Sequence, residues 1–411
     1  MLRGMSCILA AVLGGCFAAK AAEGADASTR PPFTIQLDIA HEGYDETYCW
    51  FQPRAAAIPR KTGEEPPLVI MTLQKHLESS DFYSGLYTMR SEDLGQTWSA
   101  PEEQPALGWR SLPDDITLGI CDFVPGWHAA SGKLLAIGHT VRYRNRVLIA
   151  SPQPRELAYA VYNPETDQWD PWRTLEFLDQ EKFWSAGAGC AQWLTKNDGT
   201  LLVPQYYCPP EMREEGAQAR SASTVVHCAF DGTQLTYLEH GDELTLEAPR
   251  GCDEPSLIQF RGRYYLTIRN DEKGYVTAGD DGLHFAPLKP WTFDDGAELG
   301  SYNTQQHWLA HGDGLFLAYT RRGADNDHIF RHRAPLFIAQ VDPDRLCVLR
   351  ATEAVLIPER GATMGNFGAG PITARESWVT VGEGMFFPEV YKKGGATGAV
   401  FVARVRWQAD H

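Results

Sequence analysis

Short runs of apolar and aromatic residues recur along the whole chain, and turn residues separate them. No segment keeps an apolar period of about 3.6 residues for more than about three turns, whereas brief apolar runs bounded by Gly, Asn or Asp are typical of buried strands. The clearest predicted strands are residues 68–73, 133–138, 200–204, 264–268, 315–319 and 378–381. The pattern therefore predicts an all-β fold.

Turn sequences that suit β-hairpins precede several of these strands, among them Asn197-Asp198-Gly199 and Asp313-Gly314. The turn-and-strand units recur at intervals of roughly 50 to 70 residues, as in a propeller whose blades have about four strands each. Dividing the roughly 385 residues after the N-terminal segment by about 60 predicts six blades, and seven shorter blades also satisfy the division. We expect one β-propeller domain of four-stranded antiparallel sheets over residues 32–411.

The N-terminus has the pattern of an export signal. Arg3 precedes an apolar run over residues 5–13, and small residues suited to cleavage follow, which predicts a signal peptide over residues 1–21 and a flexible leader over residues 22–31. Alternatively, Cys16 ends a segment that resembles a bacterial lipoprotein box, in which case Cys16 carries a lipid anchor. No later run reaches the ~20 apolar residues of a membrane span. We expect an exported protein, periplasmic or extracellular, without a transmembrane segment.

Charge and cysteine content exclude several classes of function. The chain has 37 Lys and Arg against 53 Asp and Glu, a net charge of −16, so we expect no nucleic-acid partner. The cysteines outside the predicted signal show no C-x-x-C spacing, which favours scattered buried thiols over a zinc or redox site. We expect neither a metal nor another cofactor. These cysteines are Cys49, Cys121, Cys190, Cys208, Cys228, Cys252 and Cys347.

One eight-residue motif is specific. Residues 91–98 read S-E-D-L-G-Q-T-W and fit the pattern S-x-D-x-G-x-T-W. In this pattern Asp93 caps a tight turn, Gly95 supplies a positive φ, and Trp98 packs between sheets. A weaker copy, residues 278–285, lies 187 residues later, which is about three blades. We interpret both segments as Asp-boxes on the outer turns of propeller blades.

With these motifs the chain resembles the sialidase (neuraminidase) superfamily, whose members are Asp-box propellers, also described as BNR-repeat propellers. Three further segments match the family pattern. Arg54 lies in a strand similar to the family's R-I-P strand, Asp81 comes just before the first Asp-box strand, and Glu254-Pro255 is followed after one hairpin by Arg269. The resemblance implies an exported enzyme that hydrolyses a glycosidic bond in an anionic glycan, with Asp81 as acid/base and Glu254 as a second catalytic residue.

The same resemblance implies a cluster of arginines that binds the sugar carboxylate. Arg54 and Arg269 are two of them, and Arg333 has the better offset for the third of the two arginines near residue 332. A planar guanidinium binds a carboxylate through two parallel hydrogen bonds and stays charged at any relevant pH. Arg322 and His332 are further candidate substrate-binding residues.

The sequence departs from the family at the nucleophile. Sialidases attack with a tyrosine, an exception to the usual carboxylate pair of glycosidases, and the resemblance implies that this tyrosine lies near residues 360–370. Phe367 stands there, and it has no hydroxyl. Tyr302, Tyr319 or Tyr391 substitutes for it only if the fold brings that residue to the centre.

Several histidines beside arginines support a second class of chemistry. His128 and His139 flank one predicted strand, and a His base next to an Arg that neutralises a carboxylate is what a uronate lyase needs. Propeller lyases and rhamnose-releasing enzymes that resemble the superfamily are therefore an alternative, and a non-catalytic glycan-binding propeller is another. In each case the expected partner is an anionic oligosaccharide or polysaccharide.

Overall fold

The computed structural model describes residues 32–44, 46–60, 62, 65–77, 81–213 and 220–408. The predicted signal peptide, the leader and Cys16 lie outside these residues. Within these ranges no helix has both the length and the apolarity needed to cross a membrane. The seven cysteines that were expected as buried thiols are all buried and unpaired by disulfides.

Five antiparallel sheets are each built from one continuous stretch of the described chain. The first contains β2 (Cys49–Ile58), β3 (Leu68–His76), β4 (Tyr83–Ser91) and β5 (Glu102–Glu103). The second contains β6 (Arg110–Leu112), β7 (Ile116–His128), β8 (Lys133–Arg144), β9 (Val147–Leu148), β10 (Leu157–Asn163), β11 (Gln168–Trp169) and β12 (Arg173–Thr174). The third contains β13 (Ala186–Gly187), β14 (Leu194–Thr195), β15 (Leu201–Tyr207), β16 (Ala222–Phe230) and β17 (Leu235–His240).

The next two sheets follow in chain order. The fourth contains β18 (Asp253–Phe260), β19 (Arg263–Arg269), β20 (Tyr275–Gly279) and β21 (Lys289–Pro290). The fifth contains β22 (His307–His311), β23 (Gly314–Tyr319), β24 (Leu336–Asp342), β25 (Cys347–Val348) and β26 (Ala354–Ile357).

The remaining sheet joins the two ends of the chain. It contains β27 (Gly368–Thr373), β28 (Glu376–Gly382), β29 (Val400–Trp407) and β1 (Phe33–His41), with the short helix α1 (Pro388–Tyr391) between β28 and β29. β1 pairs antiparallel with β29, in a register that runs from Phe33 opposite Trp407 to His41 opposite Val400. This pairing closes the ring of sheets.

The all-β propeller is confirmed, and each of the six segments predicted as strands contributes to one strand: β3, β8, β15, β19, β23 and β28. The blade prediction differs from the structure in two respects. The predicted six blades are one too many: five blades are each one continuous segment, and the remaining sheet is assembled from both ends of the chain, with β1 as its outer strand. The sheets also have four, five or seven strands instead of a uniform four, since short extra strands pair at sheet margins.

The innermost strands of the sheets surround a central cavity of about 490 Å³. Its wall is formed by parts of β2, β7, β14, β18, β22 and β27. Large aromatic side chains fill the spaces between neighbouring sheets. Buried Trp308, for example, lies with its ring centroid 5.7 Å from that of Trp291 and 6.2 Å from that of Tyr265. Packing between sheets therefore forms the core.

The turn at Asp93 has the hydrogen bonds that its motif predicts. Asp93 accepts the backbone N–H of Thr97 at 2.9 Å and its hydroxyl at 2.6 Å. These bonds lower the pKa of Asp93 to about 2. Gly95 has φ 74°, and the ring of Trp98 lies 5.9 Å from that of Trp378 in the closing sheet. The motif thus helps to join two neighbouring sheets.

The weaker copy of the motif is arranged differently. Asp281, not Asp280, accepts the backbone N–H groups of Leu283 and His284, each at 2.8 Å. Asp280 instead pairs with Arg263 at 3.2 Å. The turn is therefore capped one residue later than the alignment of the two motifs predicts.

We predict that Phe33→Ala in β1 weakens the closure of the ring. Phe33 is 5% exposed, and its ring lies 5.7 Å from that of Phe316 and 5.6 Å from that of Trp407. Removing a buried Phe side chain costs about 3–5 kcal/mol. Ile39→Ala is the matched control, because Ile39 lies on the same strand but is 46% exposed. Denaturant titration measures both, and equal losses would show that packing at β1 does not close the ring.

Candidate functional site

A cleft of about 730 Å³ opens toward the N-terminal parts of the inner strands. Phe51 and Glu254 line the cleft, whereas Ala55 and Leu257, later in the same two strands, line the central cavity. Among the predicted site residues, the cleft wall contains Asp81, His139, Glu254, Arg269 and Arg333. The fold thus brings together five of the nine, which lie in or beside four different sheets.

Every sheet has a positive φ at or near its innermost strand. In three sheets one residue other than glycine has a positive φ inside the innermost strand, β2, β7 or β18, and in the other three one such residue lies two to four residues before β14, β22 or β27. In β2, β7 and β18 this residue begins a register shift against the next strand. Strain of this kind costs about 1–3 kcal/mol per residue and concentrates at functional sites. The six residues are Gln52, Asp122, Cys190, Glu254, Asn303 and Asn366.

A buried ion pair forms the floor of the cleft. The guanidinium of Arg54, which is 1% exposed, donates to Asp122 at 2.8 Å and contacts the Cys190 sulfur at 3.1 Å. Gln52 accepts the backbone N–H of Asp122 at 2.9 Å. Burial alone would raise the pKa of Asp122, but the charge and hydrogen bond of Arg54 outweigh it and hold that pKa well below its usual range. Arg54 lines the central cavity, not the cleft, and its charge is already matched.

His139 lies against the other side of this carboxylate. Its Nδ1 donates to the carbonyl of Thr140 at 3.0 Å, and its Nε2 faces Asp122 at 3.7 Å. Burial lowers the pKa of His139, so the ring is neutral near pH 7. The ring fits because a Cβ at Gly189 would lie 2.3 Å from it. His139 is thus a neutral, cleft-facing imidazole.

The same group contains potential metal ligands. One atom each of Cys121, Asp122 and His139 lies within 4.8 Å of the others. Arg54 already neutralises Asp122, and a second cation beside a buried guanidinium would be repelled. Burial keeps the Cys121 thiol protonated by raising its pKa well above the usual value. This donor set is therefore better suited to a fixed hydrogen-bond network than to a metal ion.

Glu254 and Arg269 form a second pair, and this one faces the cleft. Oε1 of Glu254 accepts a short hydrogen bond from Arg269, while Oε2 is buried and has no hydrogen-bond partner. Burial raises the pKa of Glu254, Arg269 offsets this only in part, and nearby Asp253 raises it further. Glu254 is therefore held in a state that favours binding a proton.

Arg333 differs from the other two arginines because no carboxylate pairs with it among the described residues. Its Nε and Nη2 donate to the backbone carbonyl of Asn303, and Nη2 also contacts the Asn303 side chain at 3.2 Å. Burial, together with the charges of Arg269 and Arg331, lowers its pKa to about 10, so it remains charged. Gly365 leaves room for it, since a Cβ there would lie 2.8 Å from Nη1.

Two tyrosines that line the cleft were not predicted from the sequence. The hydroxyl of Tyr83 donates to Asp81 at 3.0 Å, and Tyr206 lies beside His139 with ring centroids 6.2 Å apart. Burial raises the pKa of both phenols well above the usual value. Tyr83 lies two residues after the predicted Asp81, so its position in the sequence could have suggested it. No sequence signal marks Tyr206.

Two predicted residues lie away from the cleft in structural roles. His128 is 1% exposed and connects two neighbouring sheets, because it bonds Ser131 in its own hairpin turn and the Gly199 carbonyl in a turn of the next sheet, each at 2.8 Å. Arg322 is exposed and pairs with Glu298 at 2.5 Å. Neither residue is part of the cleft wall.

His332 and the alternative tyrosines are not part of the cleft wall either. His332 is bonded through Nδ1 to the hydroxyl of Tyr302 at 2.6 Å. Tyr319 and Tyr391 are buried in the core. Phe367 is fully buried, and its carbonyl accepts a hydrogen bond from His307 at 2.9 Å. The region where the family resemblance places a nucleophile is therefore a packing position here.

No family model and no curated protein sequence matches this chain. Solved structures do match its fold. A protein of unknown function from Dyadobacter fermentans has a TM-score of 0.63 at 12% identity, covering 91% of this chain and 99% of that one. The Trypanosoma rangeli sialidase has a TM-score of 0.56 at 12% identity, and the match covers 92% of this chain and 59% of the sialidase.

A Hadza microbial sialidase has a TM-score of 0.57 at 11% identity, and the match covers 89% of this chain and 68% of that sialidase. The chain thus spans about three fifths of the trypanosomal sialidase and about two thirds of the Hadza one. At identities this low the likeness shows a shared sialidase-type propeller fold and no more.

We predict that Asp122→Asn destabilises the protein by about 3–5 kcal/mol, because it leaves Arg54 buried without a counter-charge. The pKa of Asp122 is depressed in the folded state, so its stabilisation is complete above the ordinary aspartate pKa and is lost as the pH falls below it. The variant should therefore lose less stability than the wild type between neutral and acid pH. Denaturant titration at several pH values measures this.

Asp295→Asn is the matched control, because Asp295 pairs with Arg350 at the surface at 2.8 Å. It should leave the free energy of unfolding nearly unchanged. Equal effects of the two variants would contradict a special role for the Arg54–Asp122 pair.

Proposed function

We propose that this protein hydrolyses a glycosidic bond in an acidic glycan bound in the cleft. The observation that carries the proposal is the state of Arg333: a buried, charged guanidinium that lines the cleft and has no carboxylate partner among the described residues. A buried cation without a counter-charge is costly in a free protein. A sugar carboxylate supplies the missing charge and binds through paired hydrogen bonds.

The arginines around the cleft have different roles. Arg54 is matched by Asp122 and Arg269 by Glu254, so both mainly hold acidic groups in place. Arg333 is left for the substrate, and Arg331 at the exposed cleft edge adds positive charge beside it. We therefore assign the carboxylate to Arg333 in place of the three-arginine clamp implied by the resemblance.

Asp81 and Glu254 are the groups suited to proton transfer. Glu254 has a raised pKa and an unpartnered Oε2, so it is suited to protonate a departing sugar oxygen. Asp81 accepts the hydrogen of the Tyr83 hydroxyl, so it can take up that proton as the oxygen attacks an anomeric carbon and the leaving group departs with the proton of Glu254. Water then attacks the same carbon and gives a proton to Glu254, while the bond from Tyr83 to the sugar breaks and Tyr83 recovers its proton from Asp81. Tyr83 thus replaces the tyrosine that is missing at Phe367.

The fold shared with sialidases is consistent with a glycan-active propeller, but the site residues support the chemistry. A uronate lyase is the second candidate, because the neutral imidazole of His139 lies beside Tyr206 in the same cleft. A His and a Tyr can serve as base and acid in the elimination. His128 takes no part in either mechanism, since it lies outside the cleft wall.

The two chemistries give different products. Hydrolysis of a fluorogenic sialoside releases its fluorophore, whereas elimination on a uronate polysaccharide produces an unsaturated sugar that absorbs ultraviolet light. Release of the fluorophore without new absorbance supports the hydrolase, and the reverse supports the lyase. If neither fluorophore release nor new absorbance is observed and glycan binding is retained, the protein is a non-catalytic glycan-binding propeller.

We predict that Arg333→Ala lowers kcat/KM by about 100-fold or more, because the substrate carboxylate loses its charge partner. Arg333→Lys keeps the charge but not the planar fork, so it should restore only part of the activity. Arg261→Ala is the control, since Arg261 is an exposed arginine paired with Asp313 at 2.6 Å. An Arg333→Ala enzyme as active as this control would overturn the proposal.

We predict that Tyr83→Phe and Glu254→Gln each abolish hydrolysis while binding is retained. If Glu254 is the acid, the wild-type rate falls as the pH rises through its raised pKa. Tyr206→Phe is the matched control for Tyr83→Phe, because it removes a second buried cleft hydroxyl. Rapid turnover by Tyr83→Phe would exclude Tyr83 as the nucleophile.

A further inference from the structure

Arg155 is a further arginine that lines the cleft, and no role described above uses it. It lies between β9 and β10, and its backbone is fixed by an N–H bond to the Trp184 carbonyl at 3.1 Å. Its carbonyl in turn accepts the N–H of Ala186 at 3.0 Å. The side chain is half-buried and lines the cleft. Arg155 is thus held in place by its backbone.

The guanidinium of Arg155 has no counter-charge among the described residues. Its Nε is buried and has no hydrogen-bond partner. Its guanidinium carbon lies 5.4 Å from the centre of the Tyr206 ring. Tyr206 keeps its proton because burial raises its pKa, and His139 is neutral, so neither neighbour supplies negative charge near pH 7. In a chain with net charge −16, an unmatched arginine in a cleft is unusual.

Arg155 and Arg333 occupy different surroundings within the cleft. The charged groups that act on Arg333 include Arg269, Glu254 and Asp81. Arg155 instead acts on His139, Tyr206 and Cys208. The cleft therefore has two cationic positions, one among residues of the fourth and fifth sheets and one among residues of the second and third.

We propose that Arg155 binds a second anionic group of the substrate, so that the preferred glycan carries two negative charges. The first is the sugar carboxylate at Arg333, and the second is a carboxylate or sulfate on the neighbouring sugar. This inference rests on the proposed function only in that the cleft binds an acidic glycan. Arg155 is a specificity-determining residue and takes no part in bond cleavage.

Paired ligands that differ by one charge test this inference. Calorimetric titrations use sialyllactose against disialyllactose, and an unsulfated against a sulfated uronate disaccharide, in an Asp81→Asn background that prevents turnover. We expect Arg155→Ala to weaken binding of a doubly charged ligand about tenfold while changing the singly charged partner less than about twofold. The pair that shows the difference identifies the second group as carboxylate or sulfate.

Two further variants separate the inference from the proposed function. Arg155→Lys should recover part of the preference for two charges, and Arg261→Ala should leave it unchanged. An equal loss for singly and doubly charged ligands in Arg155→Ala would overturn the inference. If Arg333→Ala abolishes binding while Arg155→Ala spares every ligand, the inference fails and the proposed function stands. A wild-type protein that binds none of the four ligands overturns both.

Discussion

Closure of the ring is the constraint on which the rest of the structure depends. β1 pairs with β29, which comes from the opposite end of the chain. The cleft residues Asp81, Glu254 and Arg333 lie in or beside different sheets, so no single sheet places them together. Their separations are fixed only when all the sheets pack around one axis. The same closure explains why one sheet is composite whereas five are continuous.

The Arg54–Asp122 pair has the corresponding role at the site. It crosses from β2 to β7 below the cleft, where a lone charge would be costly. Asp122 also organises His139 and two thiols around its carboxylate. Because Arg54 is paired with Asp122, the proposed function assigns recognition of an anion to arginines that have no carboxylate partner among the described residues.

Backbone strain and charge together shape the cleft. Each innermost strand has a residue with a positive φ in it or shortly before it, and two of these residues, Asp122 and Glu254, are carboxylates that line the cleft. The irregular backbone at these positions directs acidic side chains toward a cleft that also contains guanidinium groups without a carboxylate partner among the described residues. A mixture of buried acids and unpaired cations suits binding of an acidic sugar next to groups that transfer protons. The comparison with sialidases shows a shared fold and does not extend to these charges.

The sequence by itself determined the all-β propeller, because strand periodicity and turn residues are local properties. The family resemblance of its motifs also singled out Asp81, Glu254, Arg269 and Arg333, and the histidine pattern singled out His139; all five line the cleft. Only the tertiary structure decided which charges pair with each other, since pairing depends on distances between sheets. For that reason Arg54 pairs with Asp122 below the cleft, and His128 has a structural role outside it. Tyr83 and Arg155 line the cleft although no sequence motif marks them.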